Sequence, residues 1–434
     1  MSATAPQGAR GRPDLLAQVL YSVLLVYYWL MQYVTGLNDE VQRGDFLYYL
    51  YVAPVSIFAL ILLGRLRSLR RSDTPALWTA LFLGIVSLTA LARGDVQTVA
   101  SMGLLCMTLA VLFIYRLAPS VSFLNVLFLA SSVMSELAFA AGTNTYSVLP
   151  GLSAEGDFWW RVSLFPHVAT SAFFALLVLL VNIVDRAGRL RKTSMVLALY
   201  FLVFAGIRSA LVAGVLAGSY HFLAGHRLLR HHRTKMLFLP AAVATFVISL
   251  FMNQLLLLLP ATNSDLLNTY LFRSAEGLSG EDDAAKTIYR TWIWTEHLRI
   301  ASQNPLLGVG TFDFTDLSGT DPGAGGESRG SESFLTGLYA RVGLPVLLFI
   351  GAFLDAISRG VRAHRDLPVI MGIVLFVAML AYGSFINAYD FVFLTAVGLL
   401  NARLPERTTA RAAAARARGA VQGGLGSNGV GLIK

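Results

Sequence analysis

Three arginines and one glutamate carry most of the chemistry this sequence suggests. Arg208 lies in "AGIRSALVAG", between two apolar stretches. An arginine there is costly unless it reaches an interface, a cavity or an anion. It therefore reads either as a snorkelling cap on a short span or as an anion contact. Arg290, in "YRTWIW", is either an ordinary exposed helix charge or a second such contact. Two guanidinium forks on one side of a membrane could grip a diphosphate, because their planar donors match phosphate oxygens bidentately. Glu332, in "GSESFLTG", either complements a helix N-terminus or acts as a general base or ligand. Arg341 follows about two turns deeper, beside Gly343 and Pro345.

A second tier of candidates surrounds these. Arg161 and His167 lie in "WWRVSLFPHVATSAFF", at the outer end of an apolar run. Glu136, in "SSVMSELAFA", is an intramembrane carboxylate and so a functional candidate by default. His297 shares a helical face with Arg290 and Trp294. Lone histidines at interfaces are more often structural, and both readings stand for His167 and His297. There is no GxxxxGK[ST], no HExxH and no strong metal motif among the outer acids Asp39, Glu40, Asp313 and Asp316. The single cysteine, Cys106, allows no intramolecular disulfide. No metal or cofactor is expected.

These residues need elements to position them. The 434 residues are 56% hydrophobic and only 14% charged, where a soluble domain would carry nearer a quarter charged. The apolar runs are long enough to cross a bilayer as helices. The expected fold is an all-α polytopic membrane protein with about twelve spans: 15–34, 47–63, 75–91, 99–115, 121–140, 164–184, 194–207, 209–225, 236–259, 334–356, 367–387 and 391–404. With the N-terminus (1–14) inside, 24 of the 34 lysines and arginines fall on the inner side, as the positive-inside rule requires. The net charge of +9 thus reflects basic inner loops, not nucleic-acid binding. Residues 405–434 form a basic, then glycine-rich inner tail, expected to be disordered or to lie on anionic lipid.

One outer segment, 260–333, is far longer than the rest, and long loops without structure are uncommon unless functional. Within it "SGEDDAAKTIYRTWIWTEHLRIASQNP" predicts a helix, with acids at its start and Pro305 past its end. Its tryptophans suit the membrane–water interface. The following "NPLLGVGTFDF" contains a GxG. It follows a helix instead of joining a strand to one, so it fails as a dinucleotide fingerprint. It reads as a tight turn with positive φ at Gly308 and Gly310, behind the helix that carries Arg290.

Together, "GIRSALVAG", "YRTWIWTEHLRIASQNPLLGVGTFDF" and "SESFLTGLYARVGLPVLLF" resemble the O-antigen ligase and polymerase superfamily of bacterial envelope polysaccharide assembly, over roughly residues 200–356. The resemblance implies a GT-C-like membrane glycosyltransferase of the inner membrane, with both termini cytoplasmic and the site periplasmic. Its donor and acceptor would be glycans on undecaprenyl diphosphate, with membrane lipid as surroundings and a flippase and chain-length regulator as partners. Arg208, Arg290 and Arg341 would hold the diphosphate. Glu332 would be the base, with His167 or His297 in reserve. Arg161, His167, Glu136 and His297 are further substrate-binding candidates. The ligases usually carry a histidine before an asparagine where this chain has "SESF", so a polymerase is expected over a ligase. Three rivals are a lipid-linked glycan transporter, a metal-dependent transferase using "NDE" (Asn38–Glu40), and a structural scaffold.

Overall fold

The computed structural model describes residues 14–34, 46–66, 73–152, 161–185, 190–224, 231–256, 282–311, 333–382, 388 and 390–402. Residues 34, 46–48, 249–256 and 282–292 are described by their backbone alone. The described secondary structure is helical throughout. In chain order the helices are α1 (Leu15–Val34), α2 (Phe46–Gly64), α3 (Thr74–Ala92), α4 (Val96–Tyr115), α5 (Val121–Ala140), α6 (Val168–Val184) and α7 (Arg191–Phe204). Then come α8 (Arg208–Leu223), α9 (His232–Leu256), α10 (Asp282–Gln303), α11 (Phe334–Val342), α12 (Val346–Arg362), α13 (Leu367–Ala381) and α14 (Phe391–Asn401). Helices α1, α3, α4 and α5 are long and apolar enough to cross a membrane.

Burial sorts the helices into a centre and a rim. Helices α6, α13 and α14 are buried along nearly their whole length. A helix apolar on every side is stable only when enclosed. Helix α13 is the hub, with α6, α8, α9, α11, α12 and α14 packed against it. The rim helices instead expose large apolar side chains, among them Leu60, Leu88 and Val196. Contiguous exposure of that kind suits lipid as the surrounding medium. Within the bundle, one pair of polar side chains joins two helices. The Asn125 amide donates to Asn182 Oδ1 at 3.0 Å and the Asn182 amide to Asn125 Oδ1 at 2.7 Å, joining α5 to α6.

Long-range hydrogen bonds sort the loops into two groups. One group joins Arg65 to Asp14, Lys235 to Asp366, and Arg365 to the Ala402 carbonyl. All of these lie in segments predicted to be inner. The other joins Arg93 to the Leu307 carbonyl and Thr311 to Asp95, all in segments predicted to be outer. Ser209 and Tyr382 are joined within the predicted spans 209–225 and 367–387.

Two sequence expectations are corrected. The predicted tenth span, 334–356, is not continuous. It breaks into α11 and α12 at Gly343, which has φ +68°. The sixth span begins later than 164, because His167 caps α6 by accepting from the Thr170 N–H at 3.4 Å.

The break is held by the turn that follows α10. Gly308 and Gly310 adopt φ +68° and +89°, as the GxG reading requires. The Val309 N–H donates to the Ala340 carbonyl at 2.9 Å and the Gly310 N–H to the Arg341 carbonyl at 3.0 Å. The Leu344 N–H returns a bond to the Pro305 carbonyl at 3.0 Å. The last carbonyls of α11, which a helix end leaves unsatisfied, thus find donors in the turn. A Cβ on Gly308 would lie 2.3 Å from the Arg341 carbonyl carbon, and one on Gly343 would lie 2.5 Å from the Gly308 nitrogen. Neither position can hold a side chain without moving backbone. Gly308→Ala is expected to destabilise the protein by about 2 kcal/mol or more, from backbone strain and overlap. Gly103→Ala, where no atom lies within 4 Å, should be neutral or slightly stabilising. Thermal unfolding in detergent separates the two, and equal midpoints would contradict the clasp.

Candidate active site

Helix α10 docks through a stripe of Ile293, His297, Ile300 and Ala301, all buried. Ile300 and Ala301 form a small core with Ala340, bordered by Val309 and Tyr339. His297 lies where this stripe meets α11. Its Nδ1 is 2.8 Å from Thr336 Oγ1, and Thr336 sits three residues after the capping Ser333. Burial, and then the Arg341 charge, lower its pKa to about 4. The imidazole is therefore neutral at physiological pH. Arg341 lies in the last turn of α11, where a cation complements the helix C-terminus. Arg290 stands seven residues before His297 in α10. Its side chain and Glu332 lie outside the described residues.

The second grouping surrounds the α7–α8 turn. Helix α7 ends at Phe204, Gly206 turns the chain with φ +69°, and Arg208 is the first residue of α8. Arg208 is half-buried. Its charge stands at the positive end of its own helix, where the dipole opposes a cation. Next to it, Ser209 Oγ donates to Tyr382 Oη at 3.3 Å, and the Tyr382 ring meets Phe173 edge-on. Arg161 is buried nearby in sequence to Val162, whose N–H donates to the Phe204 carbonyl at 3.3 Å. Helix α13 links the groupings, since α8 and α11 both pack against it.

Two candidates have structural tasks. Glu136 Oε1 accepts from Ser147 Oγ and the Val148 N–H, both at 2.6 Å, which ties the loop after α5 to its own helix. His167 caps α6. Two aspartates were absent from the sequence candidates. Asp95 caps α4 and binds Thr311. Asp390 caps α14 by accepting from the Phe393 N–H at 2.6 Å, and burial pushes its carboxyl up to about 7. An aspartate three residues before a threonine at the start of an apolar run signals the α4 cap. Nothing local signals the partner 216 residues away.

Residues 193–351 match the family model described as O-antigen ligase. Over that stretch, a little over a third of the chain, the sequence is similar to the O-antigen ligase family. No curated protein and no solved structure matches it. The ligase-family domain runs from the start of α7 into α12 and contains Arg208, Arg290, His297, Glu332 and Arg341. Arg93, Asp95, Glu136, Arg161, His167 and Tyr382 lie outside it. Members of the superfamily are glycosyltransferase-like enzymes acting on lipid-linked glycans.

The His297 environment sets a pH dependence. The unfolded imidazole binds a proton near 6.5, whereas the docked one binds it only near 4. Between those values the undocked state holds the extra proton, so docking weakens as pH falls from 6.5 toward 4. The protection factors of residues 293–301, with the intrinsic pH dependence of exchange divided out, should fall over that window in the wild type. The fall should be much smaller in His297→Gln, and equal profiles would contradict the assignment.

Proposed function

We propose that this protein is a polysaccharide polymerase that joins glycan repeat units carried on undecaprenyl diphosphate, at the outer face of the bacterial inner membrane. The observation that carries this reading is that the O-antigen ligase domain holds every cationic candidate of the sequence analysis except Arg161. The reaction is an inverting displacement at the donor's anomeric carbon. The acceptor hydroxyl forms the new C–O bond as the bond to the diphosphate oxygen breaks. The hydroxyl proton passes to a base, and undecaprenyl diphosphate departs.

Arg208, Arg290 and Arg341 hold the diphosphate and offset the charge that grows on it in the transition state. Glu332 is the first candidate for the base. Both histidines in reserve have Nδ1 engaged, His167 in the α6 cap and His297 with Thr336 Oγ1. The apolar rim accommodates the polyprenyl chain. The reaction needs no metal or nucleotide. A flippase would supply the donor, and a chain-length regulator would act on the product.

A second reading is transfer of a finished glycan to lipid A-core, and the description of the matching family favours it. The stretch "SESF" favours the polymerase, because it lacks the histidine usual in the ligases. Arg208→Ala and Arg290→Ala should each lower polymer extension by about 100-fold or more at normal expression. Immunoblots of membrane protein and glycan ladders check this, and near-wild-type polymer length from Arg290→Ala would sink the mechanism.

A further inference from the structure

The loop between α3 and α4 lies outside the ligase-family domain, yet it binds the turn of that domain directly. Asp95 receives the Thr98 N–H at 3.0 Å and Thr98 Oγ1 at 2.7 Å. From the other side it receives the Thr311 N–H at 2.7 Å and Thr311 Oγ1 at 2.8 Å. The two threonine hydroxyls are 2.9 Å apart. Beside them Arg93 Nη2 donates to the Leu307 carbonyl at 3.3 Å. The approach is close, since a Cβ on Gly310 would lie 3.1 Å from Asp95 Oδ2.

A carboxylate offers about four lone-pair sites, and four donors occupy them here. Asp95 is therefore unsuited to be a base and well suited to be a fastener. Burial raises its pKa, but the bonds from Thr98 and Thr311 outweigh that and lower it to about 2. Asparagine cannot replace it, because one oxygen would become an NH₂ group facing donors. The same turn clasps the α11–α12 break and ends the helix that carries Arg290 and His297.

We propose that Asp95 is a positioning residue that latches the outer turn of the ligase-family domain, Asn304–Thr311, onto the N-terminal half of the bundle. Through this turn it sets the placement of α10 and α11, and hence the rate of glycan transfer. The consequence for rate rests on the function proposed above, whereas the latch itself does not.

The test uses the full-length protein in membranes. Asp95→Asn and the milder Thr311→Val should accelerate hydrogen exchange in residues 304–311 by about tenfold or more, with Asp95→Asn the stronger. Polymer extension should fall in the same order. In an Asp95→Ala background, Thr98→Cys with Thr311→Cys should restore extension when oxidised and lose it when reduced. Unchanged exchange in both single variants would overturn the latch. Faster exchange with undiminished extension would overturn its role in the reaction. A wild type that extends no polymer would instead overturn the proposed function, and the exchange result would still judge the latch.

Discussion

The structure depends on a backbone-to-backbone clasp. Gly308 and Gly343 meet so closely that neither tolerates a Cβ. Around them, N–H groups from the turn after α10 reach the last carbonyls of α11, and Leu344 bonds back to the turn. A helix broken near a membrane surface would otherwise expose orphan carbonyls, which are costly away from water. The clasp satisfies them and turns the break into a socket. The socket in turn anchors α10, the helix that carries Arg290 and His297.

The same logic explains where polar residues are placed. Inside the bundle Asn125 and Asn182 pair with each other. At the ends polar residues cap helices, as Ser120, Ser333 and Asp390 do. Asp95 both caps and bridges, which makes it unusual among the caps. His297 is buried and neutral, with Arg341 as its charged neighbour. Arg208 opens α8 and Arg341 closes α11, and both helices pack against α13.

Much of the fold was legible in the sequence because hydropathy and helix signals are local. The bounds of α1 and α5 match the expected spans 15–34 and 121–140. The α7–α8 turn at Arg208 and the positive φ at Gly308 and Gly310 were also readable, since glycine type and spacing carry that information. The break at Gly343 was not, because the apolar run continues across it and only a distant turn makes the interruption tolerable. Glu136 looked functional because an acid in an apolar run is costly, and the hydroxyl and N–H that bind it lie outside that run. Asp95 was missed for the same reason. Its cap is local, but its second partner is Thr311.

The central claim is that this domain extends lipid-linked glycan, as opposed to handing finished polymer to another acceptor. The glycan profile of a strain lacking the protein tests it most directly. The account predicts a single repeat unit attached to the final carrier, with no ladder above it. Full-length polymer accumulating on undecaprenyl diphosphate would contradict it and identify the protein as the ligase.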